Sequence, residues 1–152
     1  MLKRVALPAI LAAAIVVSSF AVVQAASRKT FKFTKAKVAL GVTSTTDTTI
    51  DVTVGKNYSR WLGKSLKNKT VSVNVSSGLL VVYKRMSKNK TVKGKVKKVY
   101  WWKRVPRSTV RTIGTGSSVS IQGLADRKTS GRKFYARKIW IYSSTTNSGY
   151  GY

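Results

Sequence analysis

Beyond Lys35 no stretch of this chain sustains apolar residues at the 3.6-residue spacing of a helix, whereas alternation with period two recurs as far as Tyr142. That pattern restricts the fold to one built from strands. Ala36, Val38, Leu40 and Val42 share one parity. After a turn at Thr46, Asp47 and Thr48, Ile50, Val52 and Val54 alternate against Asp51 and Thr53, so the two segments read as a hairpin. Val71, Val73 and Val75 alternate with Ser72 and Asn74. Ser76, Ser77 and Gly78 supply turn chemistry, and the apolar run Leu79 to Tyr83 reads as a buried strand. The polar loop Gly55 to Lys69 has an apolar centre at Trp61, Leu62 and Leu66, which suits one short helical turn over a barrel end.

Two segments break phase. Thr91 to Lys103 reads as one strand with Val92, Gly94 and Val96 on one side and Lys93, Lys95 and Lys97 on the other. A β-bulge at Lys97-Lys98 would pass the inward parity to Val99 and Trp101 and leave Tyr100 and Trp102 on the lysine-bearing face; one residue of slip would exchange the two sets. Pro106 ends that strand. Val119 and Ile121 form a short strand after the turn Gly114-Thr115-Gly116, and a turn at Thr129-Ser130-Gly131 leads into a final strand from Arg132 to Tyr142. Strict alternation there would send Phe134, Ala136, Trp140 and Tyr142 inward together with Lys138. A bulge near Arg137-Lys138 instead turns Ile139 and Ile141 inward and leaves Tyr135, Arg137, Trp140 and Tyr142 outside. The bulged register is expected, since it buries two isoleucines and no lysine.

The segment Ile113-Gly114-Thr115-Gly116-Ser117-Ser118-Val119-Ser120-Ile121-Gln122-Gly123, followed by Gly131-Arg132-Lys133-Phe134-Tyr135-Ala136-Arg137-Lys138-Ile139, carries a resemblance. It resembles OB-like small β-barrel domains of secreted bacterial proteins, in which a glycine before a V-x-V-x-G strand is followed by a turn and an x-x-A-x-x-I closing strand. The match is best over Ile113 to Ile141. It implies an all-β, OB-like Greek-key barrel, with an immunoglobulin-like β-sandwich as the competing architecture. Other OB folds bind oligonucleotides or oligosaccharides on a strand face, although a fold does not by itself assign a function.

The chain begins with Lys3 and Arg4, an uncharged run from Val5 to Val23, and Val23-Gln24-Ala25 as a small-residue cleavage site, the pattern of a Sec-type signal peptide. The run approaches the ~20 residues that span a bilayer, so an uncleaved N-terminal membrane anchor is the alternative. Residues 1–25 are therefore expected as a signal peptide, 26–34 as a basic lead, 35–142 as a single β domain and 143–152 as a disordered tail. A secreted, periplasmic or cell-envelope location follows.

The 152 residues include 30 Lys and Arg against 3 Asp and Glu, a formal charge of +27, with no His and no Cys. General acid-base work draws on His, Glu or Asp and transition-metal sites on His, Cys and carboxylates; Glu is absent as well, and Asp47, Asp51 and Asp126 are the whole carboxylate supply. There is no phosphate-binding glycine loop, no G-x-S-x-G elbow and no metal-ligand spacing. The chain is expected to be no enzyme and to hold neither cofactor nor metal.

An exported chain of this charge calls for an anionic partner. Cations interleave with rings in three clusters: Lys56, Tyr58, Arg60 and Trp61; Lys93 through Arg104; and Arg132 through Tyr142. Lys93, Lys95, Lys97, Lys98, Lys103, Arg104, Arg132, Lys133 and Arg137 are the expected polyanion contacts, and Trp61, Tyr100, Trp102, Tyr135 and Trp140 the expected stacking rings. Lys and Arg neutralise phosphates and release counterions, while an exposed ring stacks on a base for roughly 1–3 kcal/mol. Each of these rings has core packing as its alternative role. The partner is expected to be nucleic acid outside the cytoplasm, or else anionic polysaccharide or lipid head groups; a structural or adhesive envelope protein docking on wall polymers without base recognition is the competing function.

Overall fold

The computed structural model describes residues 27–43 and 48–144. Its strands are β1 (Arg28–Leu40), β2 (Thr49–Thr53), β3 (Asn57–Tyr58), β4 (Thr70–Asn74), β5 (Val81–Val92), β6 (Lys95–Val105), β7 (Ser118–Asp126) and β8 (Phe134–Ser143). Strands β1, β2, β4, β8 and β7 pair in that order and β7 returns to β1, closing a five-stranded barrel. Within the ring β4 and β8 run parallel and the other pairs antiparallel. This is the expected all-β, OB-like barrel, and closure leaves the ring strands without free edges. The signal-peptide segment, the turn residues Thr46 and Asp47, and the tail beyond Ser144 lie outside the described residues.

The alternation in β2, β4 and β7 seats Ile50, Val52, Val73, Val119 and Ile121 in the core as expected. The N-terminal boundary is a correction. Residues 28–34 are part of β1 and not a lead to it, and Phe31 and Phe33 are buried, with ring centroids 4.8 Å apart and 5.1 and 5.3 Å from Phe134. Sequence parity hid this because Phe31 and Phe33 are odd-numbered, whereas Ala36 and Val38 are even-numbered.

A bulge reconciles the two sets: Phe33 pairs with Ile121 but Ala36 with Val119, so β1 has an extra residue there. Lys35 takes the left-handed conformation at φ 51° within this bulge, and its N–H donates to the Ser120 hydroxyl at 3.0 Å. At the other end of the domain Ser143 still belongs to β8 and not to a tail.

Short 3-10 turns at Arg60–Leu62 and Lys64–Leu66 bury Leu62 and rest Trp61 and Leu66 on the core, as the apolar centre of that loop implied. Strands β5 and β6 stand apart from the barrel. β5 pairs with β8 through Val81, Val82, Tyr83 and Lys84 only, whereas the β5–β6 ladder runs unbroken from Val82↔Val105 to Val92↔Lys95. Past Lys84 each of the two strands has only the other as a ladder partner, and they project as an arm.

The expected single strand from Thr91 to Lys103 is thereby corrected. The chain reverses at Lys93 and Gly94, both at positive φ, 51° and 72°, as a two-residue hairpin turn with left-handed central residues requires. The expected bulge at Lys97-Lys98 is also absent. With no core alongside the arm, nothing forces Val99 and Trp101 into a new register, so Lys95, Lys97, Val99, Trp101 and Lys103 share one face.

Candidate functional site

The site begins with the last strand. Gln122 pairs with Lys138 and Gly123 with Ala136, so Arg137 is the extra residue of a bulge in β8. Phe134, Ala136, Ile139 and Ile141 are buried, in the register that the isoleucines favoured. The β7 side of this irregularity needs glycine: a Cβ on Gly123 would collide with the Tyr135 carbonyl group. Past the bulge, Trp140 and Tyr142 emerge side by side on the outer wall.

The parallel pairing of β5 to β8 sets Tyr83 beside Trp140, and their rings stack with centroids 5.8 Å apart and planes 14° from parallel. The antiparallel β6 then brings Trp102 opposite Arg85 and Tyr100 opposite Ser87. Trp102 meets Tyr142 edge-on at 5.0 Å. The Arg85 guanidinium lies 4.6 Å from the Tyr100 ring centre and 5.6 Å from that of Tyr142, and the Lys35 ammonium approaches Tyr142 at 5.6 Å. Ser120 donates to the Tyr142 hydroxyl at 3.3 Å. A band of rings and cations therefore crosses β8, β5 and β6, with Tyr142 as its hub. Its outer members are accessible: Tyr100 is 52% exposed and Trp102 41%.

Core packing, the alternative role for these rings, does not apply on the arm. Tyr100, Trp101 and Trp102 all remain exposed, because both faces of the projecting hairpin meet solvent. Trp101 lies on the opposite face from Trp102, with Met86 across the ladder and the Lys88 ammonium 5.9 Å from its ring centre.

The structure divides the residues that the sequence nominated. Tyr100, Trp102, Trp140, Lys98 and Arg104 share the outer face; Lys95, Lys97 and Lys103 occupy the reverse of the arm, and Lys93 its tip. Trp61 and Arg132 lie elsewhere and hold the barrel end. The Trp61 indole donates to the Thr30 carbonyl at 2.9 Å, and its ring faces Arg132 at 5.0 Å and Lys29 at 5.5 Å. Arg132 donates to the carbonyls of Lys128, Leu62 and Arg127. With the guanidinium committed to three carbonyls and an indole, the pair leaves the candidate surface. Arg137 donates to the Ser77 hydroxyl. The Tyr135 ring is covered by Arg28 at 4.2 Å, beside Lys133, whose N–H donates to Asp126.

Sequence reading missed Tyr83, Arg85 and Lys35 as site members, and placed Tyr142 on the outer face without naming it among the stacking rings. Tyr83 looked like the end of a buried strand and Arg85 lay beyond it; the signal that could have found them was the cation-rich continuation Lys84-Arg85 after the apolar run. The face formed by β2 and β4, where OB folds commonly take their ligands, is uncharged save for Asp51. There Ser72 donates to Asp51 at 2.5 Å and the Thr53 and Thr70 hydroxyls meet at 3.0 Å. The other described carboxylate, Asp126, pairs with Arg28 at 3.6 Å. Neither lies on the arm, so its cations face outward without local neutralisation.

No protein-family model, curated protein or solved structure matches this chain.

Proposed function

We propose that this protein is an exported polyanion-binding module whose sharpest ligand is nucleic acid, gripped by Lys and Arg and stacked on exposed rings. The carrying observation is the band from Trp140 and Tyr83 through Tyr142 and Arg85 to Trp102 and Tyr100. Exposed aromatic faces beside cations are what a single strand uses, since every base offers a π-face and every nucleotide a phosphate. Arg85 and Lys35 supply charge at the Tyr142 ring, while Trp102 and Tyr100 present accessible ring surface. Export is supported by the N-terminal sequence pattern, and the resemblance to OB-like domains of secreted bacterial proteins accords with the barrel.

Titration of tryptophan fluorescence with a single-stranded oligonucleotide and, separately, with heparin tests the reading. Quenching by the oligonucleotide beyond that produced by heparin supports base stacking. Equal responses to the two would assign the surface to charge alone, and no oligonucleotide binding at low salt would remove nucleic acid as the ligand.

A further inference from the structure

The arm carries charge that no described carboxylate compensates. Lys84 stands directly opposite Lys103 in the ladder, and Lys90 directly opposite Lys97. Like charges in directly opposed strand positions destabilise a sheet. A two-stranded ribbon without a core is already marginal in water, and every arm residue from Ser87 to Val92 and from Lys95 to Arg104 is exposed. The tip adds another cost. Lys93 occupies a left-handed position at which Asn, Asp or Gly is favoured, so turn propensity is sacrificed to hold a cation at the end of the ribbon. Local rules broken together in this way mark a functional element.

The placement of groups along the arm selects its partner. Tyr100, Trp101 and Trp102 sit toward its base, and Lys90, Lys93, Lys95 and Lys97 toward its tip. A hairpin built to enter a lipid bilayer would lead with its apolar end; this one leads with ammonium groups. Cations also project from both faces: Lys88, Lys90, Lys95 and Lys97 from one, Arg85, Lys98 and Arg104 from the other. A ribbon lying flat on an anionic surface needs charge on one face, whereas one enclosed between walls of phosphate gains from charge on both.

We infer that the arm docks in the major groove of a B-form DNA duplex, an inference that rests on nucleic acid being the ligand. The B-form major groove, about 12 Å wide and about 8.5 Å deep, admits a two-stranded ribbon. At about 3.3 Å per residue, the stretch from Lys84 to Val92 extends roughly 26 Å, enough to run along the groove for several base pairs. The deep, narrow major groove of A-form RNA does not admit side chains in the same way, so the arm should discriminate between the two duplexes.

The test measures binding of the full chain to labelled DNA and RNA duplexes of about 20 base pairs, two helical turns, across a salt series. Tighter binding to the DNA duplex is expected, with displacement by methyl green, a major-groove ligand, and not by netropsin, a minor-groove ligand. A variant with Lys88, Lys90, Lys95 and Lys97 changed to Ser should lose about 3 to 4 units of slope in log affinity against log salt, at ~0.9 per phosphate contact. The competition measurement uses the unaltered chain and so does not depend on the variant folding. Equal affinity for the two duplexes, or displacement by netropsin alone, would overturn the arm's placement while leaving nucleic-acid binding intact. Failure to bind single-stranded or duplex DNA at low salt would remove the reading beneath it, and binding to phosphatidylglycerol vesicles but not to duplex DNA would reassign the arm to a lipid surface.

Discussion

The Trp102 ring meets the Tyr142 ring edge-on, with centroids 5.0 Å apart and planes at 86°. Tyr142 belongs to the barrel and Trp102 to the arm, so this contact reaches across β5 and ties the base of the arm to the closed fold. Such a pair contributes ~0.5–1.5 kcal/mol beyond its buried area. Tyr142→Leu should therefore raise amide exchange on the arm rungs near Trp102 by roughly threefold to tenfold while leaving the barrel amides protected. Unchanged exchange on those rungs would show that the arm is positioned by the β5–β8 pairing alone.

Trp102→Ala and Tyr100→Ala should each weaken single-stranded DNA binding by roughly 1–3 kcal/mol, about fivefold to more than a hundredfold in affinity. Heparin affinity should change much less, since heparin offers charge but no bases. Equal losses for both ligands, measured by anisotropy, would argue against stacking.

Charge on the arm should trade stability against binding. Lys90→Glu converts the Lys90↔Lys97 rung from repulsive to attractive, worth roughly 0.2–1 kcal/mol to the ladder. The same change should weaken every polyanion tested and reduce the salt slope. Thermal unfolding and a salt series on one variant measure both arms of the trade.

Removing residues 1–34 should abolish folding, because the shortened chain lacks Phe31, Phe33 and six of the eight rungs that join β1 to β7. Phe33→Ala alone should cost about 3–5 kcal/mol, the range for emptying a fully buried aromatic site. Denaturant titration of Phe33→Ala against the unaltered chain gives the comparison. A stable domain beginning at Lys35 would contradict the register of β1.

Gly123→Ala should be among the most disruptive small substitutions in the barrel. The new methyl has no space before the Tyr135 carbonyl, and backbone there cannot move without opening the β7–β8 ladder. Overpacking of this kind costs about 1–3 kcal/mol or more, visible as a lower unfolding midpoint. Arg132→Ala should likewise lower stability, through three lost carbonyl hydrogen bonds, with less effect on polyanion affinity than the lysine substitutions of the arm.

Period-two alternation determined the fold class by itself, because a closed barrel wall has one wet and one dry side and each residue along a strand must choose. The same logic settled the bulge in β8, where Ile139 and Ile141 competed with a lysine for the interior. At Lys35 the logic misled, since the bulge there shifts parity without an apolar conflict to announce it. It failed again in the arm, where periodicity reports burial and nothing is buried, so Lys93-Gly94 read as strand interior and Val99 and Trp101 as core. Sequence also identified Tyr100, Trp102 and Trp140 as candidate rings, yet not their company. Tyr83, Arg85 and Lys35 come from segments distant from Trp140 and Tyr142, and only the parallel pairing of β5 with β8 and the closure of the barrel bring them onto one face. Charge was legible from composition, but its deployment on both sides of a projecting ribbon depends on strand pairing between residues remote in the chain.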